Sequence, residues 1–277
     1  MKRSMVLTGV AAFGLLSVMV AVPVRQAPAH GNTSKDFVPP LVFQAAGPTI
    51  SSIQGTVDAY RAALGDPNNG NAPGPLASGR REINWDGGGS TATSIAVTPF
   101  AGFQNNRGAL FVTPGSGFVQ APASGLAETF ANPTYETIFR PFSPVRLFSA
   151  IDSTVTVMQF FVPGSSGGLS ATTRGFGAIF SDVDLPNGSG PGGKRGNRKA
   201  STLVEYYGLD GELLYSSFVP ASPGDAGFAF LGIAFDDARI ASVRIRSGNI
   251  APGPDDGGKQ DIVMMDDFLY GEPQALP

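Results

Sequence analysis

The sequence predicts an all-β protein, an antiparallel β-sandwich of jelly-roll type with one short N-terminal helix. Three observations carry this. The 277 residues include 37 Gly and 23 Pro, a load that helix interiors do not tolerate and turn-linked strands do. From Arg80 onward apolar residues recur mainly at period two, the spacing of a strand with one buried face. Turn signals separate about a dozen such runs at intervals of roughly 10 to 25 residues, which suits a jelly roll with long loops better than an up-and-down barrel.

Residues 1–29 read as a signal peptide. Lys2 and Arg3 precede a nearly apolar stretch over 5–24, and Ala27-Pro28-Ala29 offers small residues for cleavage before His30. The alternative is an uncleaved anchor, since the stretch approaches the length of a span. Residues 30–79 read as an extended lead-in, a helix and a loop. Within them, 49–64 is the helix, because Ile53, Val57, Tyr60 and Leu64 fall on one face. Thr49, Ser51 or Ser52 can cap its start, and Gly65 stands where it stops. Residues 66–79, rich in Gly, Pro and Asn, read as a surface loop lying on the domain.

Residues 80–277 read as one β-sandwich domain. Candidate strands lie at 82–85, 109–113, 117–120, 146–150, 154–161, 176–181, 203–208, 213–219, 227–235, 240–246 and 262–270. The 154–161 run reads as buried on both faces or as the centre of a sheet. Asp210-Gly211 between two of the strands marks a hairpin turn with positive φ. Val155, Val157, Phe176, Phe180, Ile233, Phe235, Val243, Ile245 and Phe268 are the expected core.

Composition also excludes chemistry. Cysteine is absent, so disulfides, cysteine nucleophiles and cysteine-bound zinc are excluded. The single histidine, His30, sits at the expected new terminus, where a Ser-His-Asp triad or a histidine-held zinc is not supported. Net charge is -3, so there is no broad basic field for nucleic acid. The one basic run, Lys194-Arg195-Gly196-Asn197-Arg198-Lys199, lacks aromatics for stacking and reads as a solvated loop.

Three segments together carry a resemblance: residues 79–87 (GRREINWDG), 175–184 (GFGAIFSDVD) and 263–268 (VMMDDF). The chain resembles a group of exported bacterial jelly-roll proteins of unassigned function. The latter two segments are similar to secreted domains that carry a PEP-CTERM sorting tail. That tail is not seen after residue 271, which favours release over anchoring. The closing 265–268 segment is also similar to the last strand of jelly-roll carbohydrate-binding modules, where the resemblance implies an acidic residue at a structural calcium.

Candidate sites follow from residue type. Calcium takes six to eight oxygens, and Asp182, Asp184, Asp266 and Asp267 are the candidate ligands; Asp236/Asp237 and Asp255/Asp256 are further acidic pairs. Consecutive strand residues point to opposite faces, so one of Asp266 and Asp267 should face the core side. Trp85, flanked by Asn84 and Asp86, is the candidate ligand-binding trio, either as a sugar-stacking platform or as core. Arg80, Arg81 and Glu82 read as a local surface ion pair of little energetic weight. These readings lead to a secreted, non-catalytic protein binding an extracellular glycan or matrix component, with no nucleic acid and no membrane after signal removal. Two alternatives stay open. One is a structural or adhesive exoprotein that binds another protein. The other is a glycoside hydrolase using two carboxyls, with Glu82 and Glu205 in or beside strands.

Overall fold

The computed structural model describes residues 38–185, 201–254 and 260–276. The signal segment, His30, the basic run at 194–199 and Asp255/Asp256 lie outside the described residues.

The chain begins with β1 (Leu41–Gly47), α1 (Ile50–Leu64), β2 (Arg80–Ile83), β3 (Ser94–Val97) and β4 (Phe100–Phe103). There follow α2 (Gln104–Arg107), β5 (Ala109–Val112), β6 (Gly117–Ala121), α3 (Ala123–Phe130) and α4 (Tyr135–Ile138). Next come β7 (Leu147–Ile151), β8 (Val155–Phe160), β9 (Ala171–Thr172), β10 (Gly175–Ser181) and β11 (Leu203–Tyr207). The last are β12 (Leu213–Phe218), β13 (Phe228–Ala234), β14 (Ser242–Arg246), β15 (Met264–Gly271) and β16 (Gln274–Ala275).

The strands form an eight-stranded sheet in the order β1-β13-β10-β15-β7-β6-β3, with β2 also on β15, and a six-stranded sheet in the order β12-β11-β14-β8-β5-β4. β9 and β16 pair apart from both. Taken without β9, the strands from β7 to β15 hop between sheets, giving β7-β15-β10-β13 on one side and β8-β14-β11-β12 on the other. This is the double Greek key of a jelly roll. β3, β4, β5 and β6 widen both sheets at one edge, and β1 adds a strand at the opposite edge of the larger sheet.

The two sheets bury one apolar core containing Phe176, Phe180, Ile233, Phe235, Val243, Ile245 and Phe268. Val155 and Val157 are corrections. Thr156, Met158 and Phe160 point inward and the two valines are half-buried on the outside, because the six-stranded sheet leaves its outer face to solvent. The larger sheet is covered on both faces across β13, β10, β15, β7 and β6, whereas its edge strand β3 leaves Ile95 and Val97 exposed. α1 lays Ile53, Val57, Tyr60 and Leu64 on Ile179, Phe230 and Leu269. α3 and α4 cover β6 and β7 with Leu126, Phe130 and Tyr135. This double coverage explains why β10, β13 and β15 are buried at every position.

α1 matches the periodic prediction, and Gly65 stops it with φ 104°. Thr49 is extended at the cap position, but its hydroxyl meets Ser51 and Ser52 side chains, not the backbone. α3 is the substantial helix that period reading misses. Its Gly125 masks the pattern and is closely packed, since a Cβ there would lie 3.1 Å from Ala121 Cβ and would require the Thr93 hydroxyl to move. β1 is a further omission, as are the short strands β3, β4, β9 and β16. The expected boundary at residue 80 separates nothing, because β1 pairs with all seven residues of β13 and belongs to the sandwich.

Arg81 also departs from expectation. It shares the inward face of β2 with Ile83 and is fully buried. Its five N–H donors are all used: two on Glu272 at 2.7 Å each, and one each on Gly70, Ala72 and Asn106 carbonyls at 2.8–3.0 Å. Glu272 also accepts from Asn69 and from the Leu76 amide. This buried pair ties the 66–79 loop to the sandwich. Arg80 and Glu82, on the opposite face, pair with each other and Glu82 also meets Arg61 of α1.

Candidate functional site

The trio at 84–86 is structural. Trp85, at φ 62°, turns off the end of β2 into the sandwich and is 1 % exposed. Its indole stacks on Phe148 at 3.7 Å, meets Phe103, Phe111 and Phe268 edge-on, and donates to the Asp266 carbonyl. A ring so placed is no platform for a sugar. Asp86 is buried and accepts the amides of Val145 and Arg146 at 2.6 and 3.0 Å, while Asn84 donates to it at 2.7 Å.

Asp266 and Asp267 sit where β15 changes neighbours. Met265 pairs with Phe148 of β7, whereas Phe268 pairs with Ile83 of β2. On the other edge, Ala178 pairs with Phe268 and Phe180 with Met265, so two aspartates oppose the single Ile179. This bulge breaks the expected alternation. Met265 and Phe268 both face the sandwich core, and both aspartates lie on the helix side. There Asp266 Oδ2 accepts the Phe142 and Ser143 amides, and Asp267 Oδ1 accepts the Ser143 hydroxyl at 2.5 Å. Arg61 approaches Asp267 to 3.6 Å. Burial, then the repulsion of Asp267, pushes the Asp266 carboxyl well above the carboxylate range. Its Oδ1 meets no donor. Burial also raises Asp267, against the Ser143 hydrogen bond.

This donor set does not fit calcium. A calcium ligand turns its lone pairs to the ion, whereas of these oxygens only Asp266 Oδ1 is without a donor; Asp266 Oδ2 and Asp267 Oδ1 receive amide and hydroxyl hydrogens and Arg61 faces Asp267 Oδ2. Asp182 and Asp184 share the same character. Asp182 accepts the Ala226 amide at 3.2 Å, and Asp184 accepts the Gly224 amide at 2.8 Å. Asp261 in turn accepts the Asp184 and Leu185 amides. Burial, with Asp184, Asp261 and Asp225 nearby, pushes Asp182 up to about 8. Among the described residues no group of three acidic or histidine side chains is placed to hold a metal.

The strand glutamates are similarly engaged. Glu82 is held by Arg61 and Arg80, and Glu205 by Arg244 at 2.6 Å. Asp236 and Asp237 border an open cleft of about 280 Å³ with Arg174 and Glu272. There Asp237 pairs with Arg239 and Glu272 with Arg81.

Among the described residues, no helix covers the outer face of the six-stranded sheet over β8, β11, β12 and β14. Register places Leu213, Tyr207, Ser242, Gln159 and Leu110 in one row, and Ser216, Glu205, Arg244, Val157 and Val112 in the next. Burial and then the nearby Glu205 carboxylate raise the Tyr207 phenol. A second open depression, about 260 Å³, adjoins the first row and is lined by Gln159, Phe161, Ser170, Leu209 and Ser242, among others. Reasoning from motifs missed this surface because its residues are scattered over five strands. The usable signal was the outward half of the alternation in β8, β11 and β14.

Comparison with protein-family models, with curated proteins and with solved structures finds no match.

Proposed function

We propose that the protein is exported and binds an extracellular carbohydrate or matrix polysaccharide without turning it over, using the outer face of the six-stranded sheet. The observation that carries this reading is the coverage of the fold. Helices occupy the centre of the outer face of the larger sheet, whereas among the described residues no helix packs on β8, β11, β12 or β14 of the smaller one, whose outer face carries mixed polar and apolar rows. Saccharides present hydroxyls around apolar C–H faces. Planar polar groups such as the Glu205–Arg244 pair and Gln159 suit the hydroxyls, and the Tyr207 ring with Leu213 suits the C–H faces. Export rests on the charged start, apolar stretch and small-residue site within residues 1–29.

A glycan array with the purified protein tests the reading. Tyr207→Ala and Gln159→Ala should each weaken binding about tenfold, the loss of one good contact of about 1.4 kcal/mol, with unchanged melting. Trp85→Phe should leave affinity intact. Binding that survives both surface substitutions places the ligand elsewhere. Turnover abolished by one Asp or Glu substitution replaces this reading with the hydrolase.

A further inference from the structure

We infer that the free edge of β1 pairs with β1 of a second copy, joining two eight-stranded sheets across a two-fold axis. The inference is independent of the saccharide reading. β1 has no strand partner on its outer edge among the described residues. Soluble proteins blunt such edges with charges, prolines, bulges or short length. Within its bounds β1 uses none of these, the prolines at 39, 40 and 48 lying beyond its ends: it runs seven residues, Leu-Val-Phe-Gln-Ala-Ala-Gly, in unbroken register on β13. By contrast, β3 has only four residues, and β12 carries a register shift against β11.

The strand is complementary to itself. Antiparallel pairing centred on Gln44 sets Leu41 against Gly47, Val42 against Ala46 and Phe43 against Ala45. Each large side chain meets a small one, and the two Gln44 amides meet on the axis. Directly opposed residues share a face. Leu41 of one copy therefore lies on the helix side of Gly47 of the other, beside the start of α1. Leu41 is 58 % exposed there, and the flanking Val38 and Ile50 are also exposed apolar residues. The pairing brings the Val38–Leu41 end of one copy to the Gly47–Ile50 end of the other. It covers apolar surface at both ends of the strand and satisfies the outward backbone groups of the edge.

Gln44 is exposed, so it can be changed without disturbing the core. Sedimentation velocity across a concentration series should show a reversible dimer of the wild type. Gln44→Lys and Gln44→Glu should each be monomeric, because like charges meet on the axis, with melting curves like the wild type. An equimolar mixture of the two should dimerise again, a rescue specific to this register. Gln44→Cys, in a chain with no other cysteine, should cross-link on oxidation, and Ser216→Cys on β12 should not. A wild type monomeric at its solubility limit overturns the inference, as does a dimer that persists in Gln44→Lys.

Discussion

Replacing Arg81 with methionine should destabilise the protein by about 3 to 5 kcal/mol, the range for breaking a buried ion pair by removing one partner. The structure indicates which lost contacts dominate. The Gly70, Ala72 and Asn106 carbonyls belong to half-buried or exposed residues. Water can therefore replace Arg81 at these three, and they contribute little. Glu272 is different, because its side chain is 2 % exposed and loses two charge-assisted bonds of 2.7 Å. The Asn69 and Leu76 donors alone then face a buried carboxylate. Urea unfolding followed by the fluorescence of Trp85, the single tryptophan, gives the readout. With a slope of about 2 to 3 kcal/mol/M, the midpoint should fall by roughly 1 to 2 M. Arg81→Met combined with Glu272→Gln should recover much of the loss, since no unpaired charge remains. A single-variant loss below about 1 kcal/mol, the range of a surface ion pair, would refute the reasoning.

Two further outcomes follow from the acidic groups. Asp182 keeps its proton up to about pH 8 in the folded protein, whereas an unfolded aspartate releases it near pH 4. The stability this group contributes is therefore fully present below about pH 4 and is lost as pH rises to about 8. Asp182→Asn keeps the acceptor for the Ala226 amide and tolerates the φ of 71°. It should flatten that decline and exceed the wild type in melting temperature at pH 8; a variant less stable at every pH would contradict the assignment. Calcium and EDTA should give superimposable melting curves. A site held at 100 times its dissociation constant would instead add about 2.7 kcal/mol, and such a gain would show that the carboxylates rearrange to bind the ion.

Much of the fold was legible in the chain because it depends on local periodicity. Alternating runs located most of the long strands, and Ile53, Val57, Tyr60 and Leu64 located the α1 face. β1 escaped because an edge strand half-covered by a helix shows no clean alternation. The outward turn of Val155 and Val157 escaped because a Val-Thr-Val-Met run has no polar face to distinguish. At the candidate sites, residue type was legible and direction was not. Trp85 turns inward through one positive φ, and Asp266 and Asp267 point the same way because one extra residue in β15 breaks the pleat.

By itself the sequence determined the class of the protein: a cysteine-free β-sandwich with one amphipathic helix near its start, since turn chemistry and side-chain period act over a few residues. Tertiary structure alone decided which sheet the helices cover, which face stays open, and that Arg81 lies inside against Glu272. These depend on contacts between residues distant in the chain, 191 positions apart for Arg81 and Glu272, where burial and the pairing of charge, not local propensity, select the arrangement.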